Sequence, residues 1–381
     1  MNDLRFTTPP VLGSEIGAIE DAIRRRKLSG DGRYTALCEQ WLEARLGCAR
    51  ALLTHSCTAA LEMAALLLDL QSGDEVIMPS FTFSSTANAV VLRGATPVFV
   101  DVDPKTMNMD VDRVEQLITT ATKAIFAVHY AGLPPDMEKL QAIANRRSIA
   151  LVEDAAQSLG STYRGKPAGT HSSLATISFH ETKNIVSGEG GALIVNDPAL
   201  VERAVILREK GTNRQKFLQG LTDKYTWVDV GSSYLPSELI AAYLLEQLNA
   251  VDRITAKRIE LWDAYHAALQ PALRFGATLQ PLPDRSATHN GHLFYVLLPD
   301  AGKRAGFLSA MKSVGIQCTF HYVPLHSSPA GLKFGRAPDG CPMTETTAAR
   351  LVRFPMHFDM TIKDVERVAA AAIDVLRDMA S

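Results

Sequence analysis

The chain has 381 residues, with 39 basic against 41 acidic side chains and a formal net charge of −2 at pH 7. Hydrophobic residues make up 46% and charged ones 21%, enough for a large packed core, which excludes a disordered, collagen-like or disulfide-stapled chain. The balanced charge leaves no electrostatic footprint for nucleic acid, and at roughly 100–200 residues per domain the length implies two or three domains.

The first residues, Met1-Asn2-Asp3-Leu4-Arg5-Phe6, lack the basic and apolar regions of a secretory leader. An apolar-periodic stretch then ends in Arg24-Arg25-Arg26-Lys27 ahead of Gly30, which reads as cations at a helix C-terminus. Five scattered cysteines, Cys38, Cys48, Cys57, Cys318 and Cys341, form no Cys-x-x-Cys pair and fit a reducing, cytoplasmic setting. The most apolar stretch, residues 59–70, is too short to span a bilayer and carries Glu62 and Asp69, so no membrane partner is expected.

From about residue 50 to 210, unbroken apolar runs alternate with helical patterns. Strands are predicted at residues 51–54, 75–78, 97–101, 123–129, 149–154, 174–180 and 191–195. Helices are predicted at 58–70, 87–93, 112–118 and 135–147. This alternation marks a mostly parallel sheet covered on both faces. The last two strands have no room for a crossover helix between them and should be antiparallel. A long helical run at 236–269 leads to a smaller α+β part, with strands at 292–298 and 316–320 and helices at 301–314 and 363–379.

Ligands of open α/β sheets bind outside the carboxyl ends of the strands, so polar residues just after each apolar run are the candidates. Residues 54–58 could hold a phosphate at a helix N-terminus, although taken alone they read as an ordinary Ser/Thr cap. Asp154 ends a strongly apolar strand. It is either a helix cap or an acid kept ionised beside a buried cation, and Gln157 would face the same ligand if a helical turn begins there. Lys183 is by default a solvated lysine, but a lysine held near a cationic or apolar cofactor can lose its proton and form a Schiff base. The glycines in Gly188-Glu189-Gly190-Gly191 would permit a tight turn or a close backbone approach to a ligand. His55, His129 and His180 are candidates for pocket lining. The histidines have no zinc spacing, so no metal is expected, and no Gly-x-Ser-x-Gly elbow offers a hydrolytic nucleophile.

Taken together, Ser56-Cys57-Thr58-Ala59-Ala60-Leu61, residues 73–83, Val152-Glu153-Asp154-Ala155-Ala156-Gln157 and residues 178–184 with 188–191 resemble the DegT/StrS-type family of nucleotide-sugar aminotransferases. The resemblance runs from about Pro10 to the closing helix. It implies an α/β, fold-type-I aminotransferase, with a large domain built on a mostly parallel seven-stranded sheet flanked by helices and a small C-terminal α+β domain. The expected division is residues 1–245, including an N-terminal arm, and 246–381. Pyridoxal 5′-phosphate (PLP) is the implied cofactor.

Lys183 would hold PLP covalently and carry the proton. Asp154 would pair with the pyridine nitrogen, Gln157 with the ring hydroxyl, and Phe83 would stack on the ring. Thr58, the Ala59 N–H and Ser178 would hold the phosphate. Family members often place an asparagine of the neighbouring subunit where this chain has Ser233. A homodimer with the active site at the subunit interface is implied as well. Stretches 178–184, 209–214, 224–227 and 231–234 point further, to amination at C4 of dTDP-4-dehydro-6-deoxy-D-glucose with L-glutamate as donor. His180, Lys210, Arg214, Tyr225 and His321 are the expected substrate contacts.

Amination at C3, or of another keto-deoxy sugar nucleotide, would use the same core residues. Relatives acting as sugar dehydratases replace the Schiff-base lysine with histidine, whereas Lys183 is present here. A non-catalytic sensor on this scaffold would be expected to lack Lys183 or Asp154. A nicotinamide-dependent dehydrogenase would need a Gly-x-Gly-x-x-Gly fingerprint that the chain does not contain.

Overall fold

The apolar runs of the first half assemble into one sheet in the computed structural model, which describes residues 3–380. Its strands are β1 (Arg50–Thr54), β2 (Glu75–Pro79), β3 (Thr96–Val100), β4 (Thr122–Val128), β5 (Ala150–Asp154), β6 (Leu174–Ser178) and β7 (Gly191–Val195), in the order β1-β7-β6-β5-β4-β2-β3. Pairings from β3 through β6 are parallel, and β7 runs antiparallel to both β6 and β1, as the short connection requires.

Alternate residues of each strand point to opposite faces. Met78, Phe126, Val152 and Leu193 therefore pack on one side, under α3 (Cys57–Leu67). Ile77, Ile125 and Leu151 pack on the other side, under α5 (Met137–Arg147), while Ala175, Ile177 and Ile194 meet α2 (Arg33–Leu46) there. Both faces are covered, which explains why the strands are apolar throughout rather than alternating. At roughly 1.5–3 kcal/mol per buried large aliphatic side chain, burial on both faces contributes strongly to the favourable side of folding. Further helices of this part include α1 (Glu15–Arg24), which ends at the basic run as expected, α4 (Ser84–Val91) and α6 (Val201–Arg208), besides short ones at Val111–Val114 and Arg214–Leu218.

Helix α3 begins where the Ser56 hydroxyl accepts the Ala59 N–H at 3.1 Å. Gly191 makes this start possible, since a Cβ there would sit 2.4 Å from the Cys57 nitrogen. The close approach expected of this glycine is thus to the neighbouring backbone.

The helical run at 236–269 is two helices rather than one, α7 (Glu238–Asn249) and α8 (Val251–Ala268), separated at Ala250. There φ −99° and ψ 6° leave helical geometry without a glycine or proline to announce it. Beyond them, β8 (Thr278–Leu279), β9 (Tyr295–Leu297) and β10 (Leu351–Arg353) form an antiparallel sheet. This sheet packs with α9 (Arg304–Ser313) and α10 (Ile362–Ala380) around Trp262, Tyr265, Phe294, Phe307 and Phe354. Residues 316–320 do not form the expected strand. Leu4 takes the backbone groups of Gly315 and Gln317, and only Thr319 bridges to Arg353. The helix expected at 301–314 opens with a 3₁₀ turn, Ala301–Lys303. No helix among the described residues is long and apolar enough to cross a membrane.

Candidate active site

A cavity of about 480 Å³ opens at the carboxyl ends of β5 and β6, between the large sheet and the C-terminal part. Register places Asp154 opposite Thr176, so the polar residues that follow these two strands emerge together.

Asp154 is buried at the end of β5. Its Oδ2 accepts the Thr86 hydroxyl from α4 at 2.8 Å, and its Oδ1 accepts the Ala156 N–H at 3.3 Å. Burial pushes its carboxyl pKa up, against lowering by the Thr86 hydrogen bond and the charge of Lys183. Lys183 lies in the loop between β6 and β7. That loop is closed by the Lys183 N–H to the His180 carbonyl at 2.9 Å and the Glu181 N–H to the Gly188 carbonyl at 2.8 Å. Burial lowers the Lys183 pKa, and the Asp154 charge opposes the shift. A lysine so placed reaches its neutral, nucleophilic form more readily than a solvated one.

Gln157 bridges two sides of the site. Its Oε1 accepts the Ala131 N–H at 2.7 Å and its Nε2 donates to the Tyr322 hydroxyl at 2.8 Å. Ala131 sits at φ 57°, and the neighbouring Gly132 at φ 81° has no room for a Cβ beside the Asn290 side chain. This tight corner is what presents the Ala131 N–H to Gln157. Across the cavity, the Thr58 and Ser85 hydroxyls are 2.7 Å apart, at the N-termini of α3 and α4. Ser178 and Phe83 complete that wall, Phe83 being exposed and 6.2 Å from the Tyr322 ring.

The residues present fit PLP. A buried carboxylate faces the same cavity as a buried lysine, while hydroxyls and first-turn N–H groups at the start of α3 suit a phosphate. The Ala59 N–H is already satisfied by Ser56, leaving the Cys57 and Thr58 N–H groups as the free first-turn donors.

Of the expected substrate contacts, His180 and His321 line the cavity; Lys210, Arg214, Tyr225 and the phosphate candidate Ser233 lie outside the cavity of their own chain. Two of the lining histidines are corrected. His129 is fully buried behind β5, 3.4 Å from Glu153, and His55 stacks on Tyr234. Sequence reasoning passed over Thr86, Tyr322, His292, Arg258 and Arg353, all on the cavity wall. Tyr322 and Arg353 stood within polar and basic positions of the C-terminal part, but no spacing tied them to Asp154 or Lys183.

Residues 12–373 match the model of the DegT/DnrJ/EryC1/StrS aminotransferase family. The aminotransferase TlmJ from Streptoalloteichus hindustanus is 28% identical, with a TM-score of 0.91 over 99% of this chain and 100% of that one. DesV from S. venezuelae, solved in complex with a ketimine intermediate, is 30% identical, with a TM-score of 0.88 over 100% and 99%. The PLP form of the putative sugar aminotransferase Spr1654 from Streptococcus pneumoniae, at 24% identity, shares the fold with a TM-score of 0.90 over 99% of each chain.

Proposed function

The chain belongs to the DegT/DnrJ/EryC1/StrS aminotransferase family, and from that premise we propose that it aminates C4 of a dTDP-linked 4-keto-6-deoxy sugar at the expense of L-glutamate. Its fold is that of the fold-type-I aminotransferases, and PLP is its cofactor. The proposed activity is that of a dTDP-4-amino-4,6-dideoxygalactose transaminase.

The observation that carries this reading is the meeting of Lys183 and Asp154, from separate elements, in one buried cavity. When bound, PLP supplies an electron sink for the pair left behind as a proton departs the adjacent carbon. Lys183 attaches the cofactor, and its Nζ then takes and returns the proton at the carbon that changes partners. Its lowered pKa suits a group that must act as a base near neutral pH. Asp154, held by Thr86 and Ala156, would favour a positive charge on the cofactor's ring nitrogen. Gln157 retains one amide hydrogen that would serve the ring hydroxyl, and Phe83 would cover a ring face. Thr58 and Ser178 bind the phosphate. The C-terminal part contributes His321 and Tyr322 to the cavity wall.

The protein acts as a homodimer in this reading, with Lys210, Arg214, Tyr225 and Ser233 serving the cavity of the second copy. Exposed apolar side chains in the same stretch, Leu218, Leu221, Trp227 and Val228, support an interface there. Incubation with L-glutamate and dTDP-4-dehydro-6-deoxy-D-glucose, followed by NMR of the product, tests the proposal. A C4 amine with galacto configuration is expected; amination at C3, a gluco product or no amination would overturn it. Sedimentation should give twice the mass of one chain.

A further inference from the structure

His292 is a buried residue of the cavity wall, three positions before β9. Its Nδ1 lies 3.0 Å from the Asn184 Oδ1, and the Asn184 Nδ2 donates to the Asn290 carbonyl at 2.9 Å. A carbonyl only accepts, so the Asn184 amide must turn its NH2 to Asn290 and its oxygen to His292. That oxygen only accepts as well, which places the imidazole hydrogen on Nδ1. Nε2 is left with its lone pair and has no hydrogen-bond partner among the described residues.

The ring is also kept neutral and in place. Burial opposes a second proton on it, and the charges of Lys183, Arg258 and Arg353 oppose it further. Arg258 donates to the Gly291 and His292 carbonyls at 2.9 and 2.5 Å. Gly291, at φ 61°, has no room for a Cβ against the Arg258 backbone, so the chain enters the site by a tight turn. His292 is therefore a fixed acceptor, in contact with the side chain of the residue that follows Lys183. His321 is not committed in this way: its Nδ1 meets the Tyr130 hydroxyl, which can donate or accept. A buried acceptor without a partner is costly until a ligand's hydrogen completes it.

We propose that the His292 Nε2 accepts the C3 hydroxyl of the keto sugar and so selects sugars hydroxylated beside the reacting carbon. This rests on the aminotransferase reading of the site and adds a specificity contact to it. Of the two carbons next to C4, C5 carries the methyl group and the ring oxygen, so C3 bears the nearest hydroxyl. L-Glutamate does not suit the same nitrogen. Its carboxylates bring acceptors only, and its amine is the group that reacts. The cofactor's ring hydroxyl and phosphate are met by Gln157 and by the start of α3 in the same reading.

The test compares dTDP-4-dehydro-6-deoxy-D-glucose with its 3-deoxy analogue as amine acceptors, using holoenzyme first converted with L-glutamate. The wild type should favour the hydroxylated sugar at least about tenfold in kcat/KM. His292→Phe should bring that ratio to within about twofold of unity, because the hydroxyl then meets no acceptor. Asn184→Ala removes the group that fixes the tautomer. Its ratio should fall between the two, and it serves if the phenylalanine variant does not fold. A purely structural His292 would slow both sugars alike and leave the wild-type ratio unchanged, which overturns the proposal. A wild type that treats the two sugars equally also overturns it. Both results leave the C4 aminotransferase reading standing, whereas amination of neither sugar overturns that reading and this contact with it.

Discussion

The Gln157 amide donates to the Tyr322 hydroxyl at 2.8 Å, joining the loop after β5 to the C-terminal part directly across the cavity. The other end of the same amide holds the Ala131 N–H at 2.7 Å, where Ala131 adopts a left-handed conformation. One side chain thus sets both the floor of the site and the position of its cover.

Removing that side chain should separate the two roles. Gln157→Leu leaves the buried Ala131 N–H unsatisfied, an expected loss of about 1–3 kcal/mol in denaturant unfolding of the cofactor-free protein. Tyr322→Phe removes only the hydroxyl across the cavity and should cost about 0.5–1.5 kcal/mol. Equal losses would mean that the corner at Ala131 does not depend on Gln157.

Lys183→Ala should leave the fold intact and abolish turnover, since Asp154 keeps its hydrogen bonds from Thr86 and Ala156 while the group that attaches the cofactor is gone. Borohydride treatment of the holoenzyme followed by peptide mass spectrometry checks the covalent role. The cofactor's mass should be fixed on Lys183 in the wild type and on no residue in the variant.

The strands that carry these residues were legible because a sheet covered on both faces leaves unbroken apolar runs, and residues 97–101 or 149–154 have no other reading. Asp154, Gln157 and Lys183 were candidates because each stands at or just after the end of such a run, but position alone left a cap or a solvated lysine equally open, and only the family resemblance gave them roles. Thr86 was not: it meets Asp154 only through the packing of α4 over the strand ends, 68 residues away in sequence. Arg353 was hidden for a related reason. Its strand is three residues long, and the carbonyl that orients it, at Phe320, comes from a segment whose apolar pattern imitates a strand. The break at Ala250 left no mark either, because Asn249, Ala250 and Val251 are all tolerated within helices.

Asp154→Asn should retain PLP while slowing the proton transfer by orders of magnitude, because a neutral amide cannot stabilise charge on the ring nitrogen. Thr86→Val should act in the same direction but more weakly. It removes the hydrogen bond that favours the ionised carboxyl and leaves burial to raise the pKa unopposed by that contact. Single-turnover kinetics with L-glutamate would separate the two variants. A Thr86→Val enzyme as slow as Asp154→Asn would place Thr86 itself in the chemistry.

Behind β5, Glu153 accepts the Gly169 and His171 N–H groups and the Ser172 hydroxyl, and its Oε2 lies 3.4 Å from His129 Nε2. Burial pushes Glu153 up to about 7 and His129 down to about 3, so both favour their neutral forms. The two act on stability with opposite sign. Glu153, raised from 4.5, contributes stability that is fully present below about 4.5 and lost as pH rises through about 7. His129, lowered from 6.5, contributes stability that is present above about 6.5 and lost as pH falls through about 3. Between about pH 4.5 and 6.5 the two slopes oppose each other, and their joint contribution should be nearly flat. Glu153→Gln removes one slope. Whatever stability the variant loses overall, its stability relative to wild type should rise with pH across that window, as followed by urea unfolding at several pH values. A parallel pH dependence in the two proteins would show that Glu153 is ionised in the folded state throughout the window, with its hydrogen bonds outweighing burial.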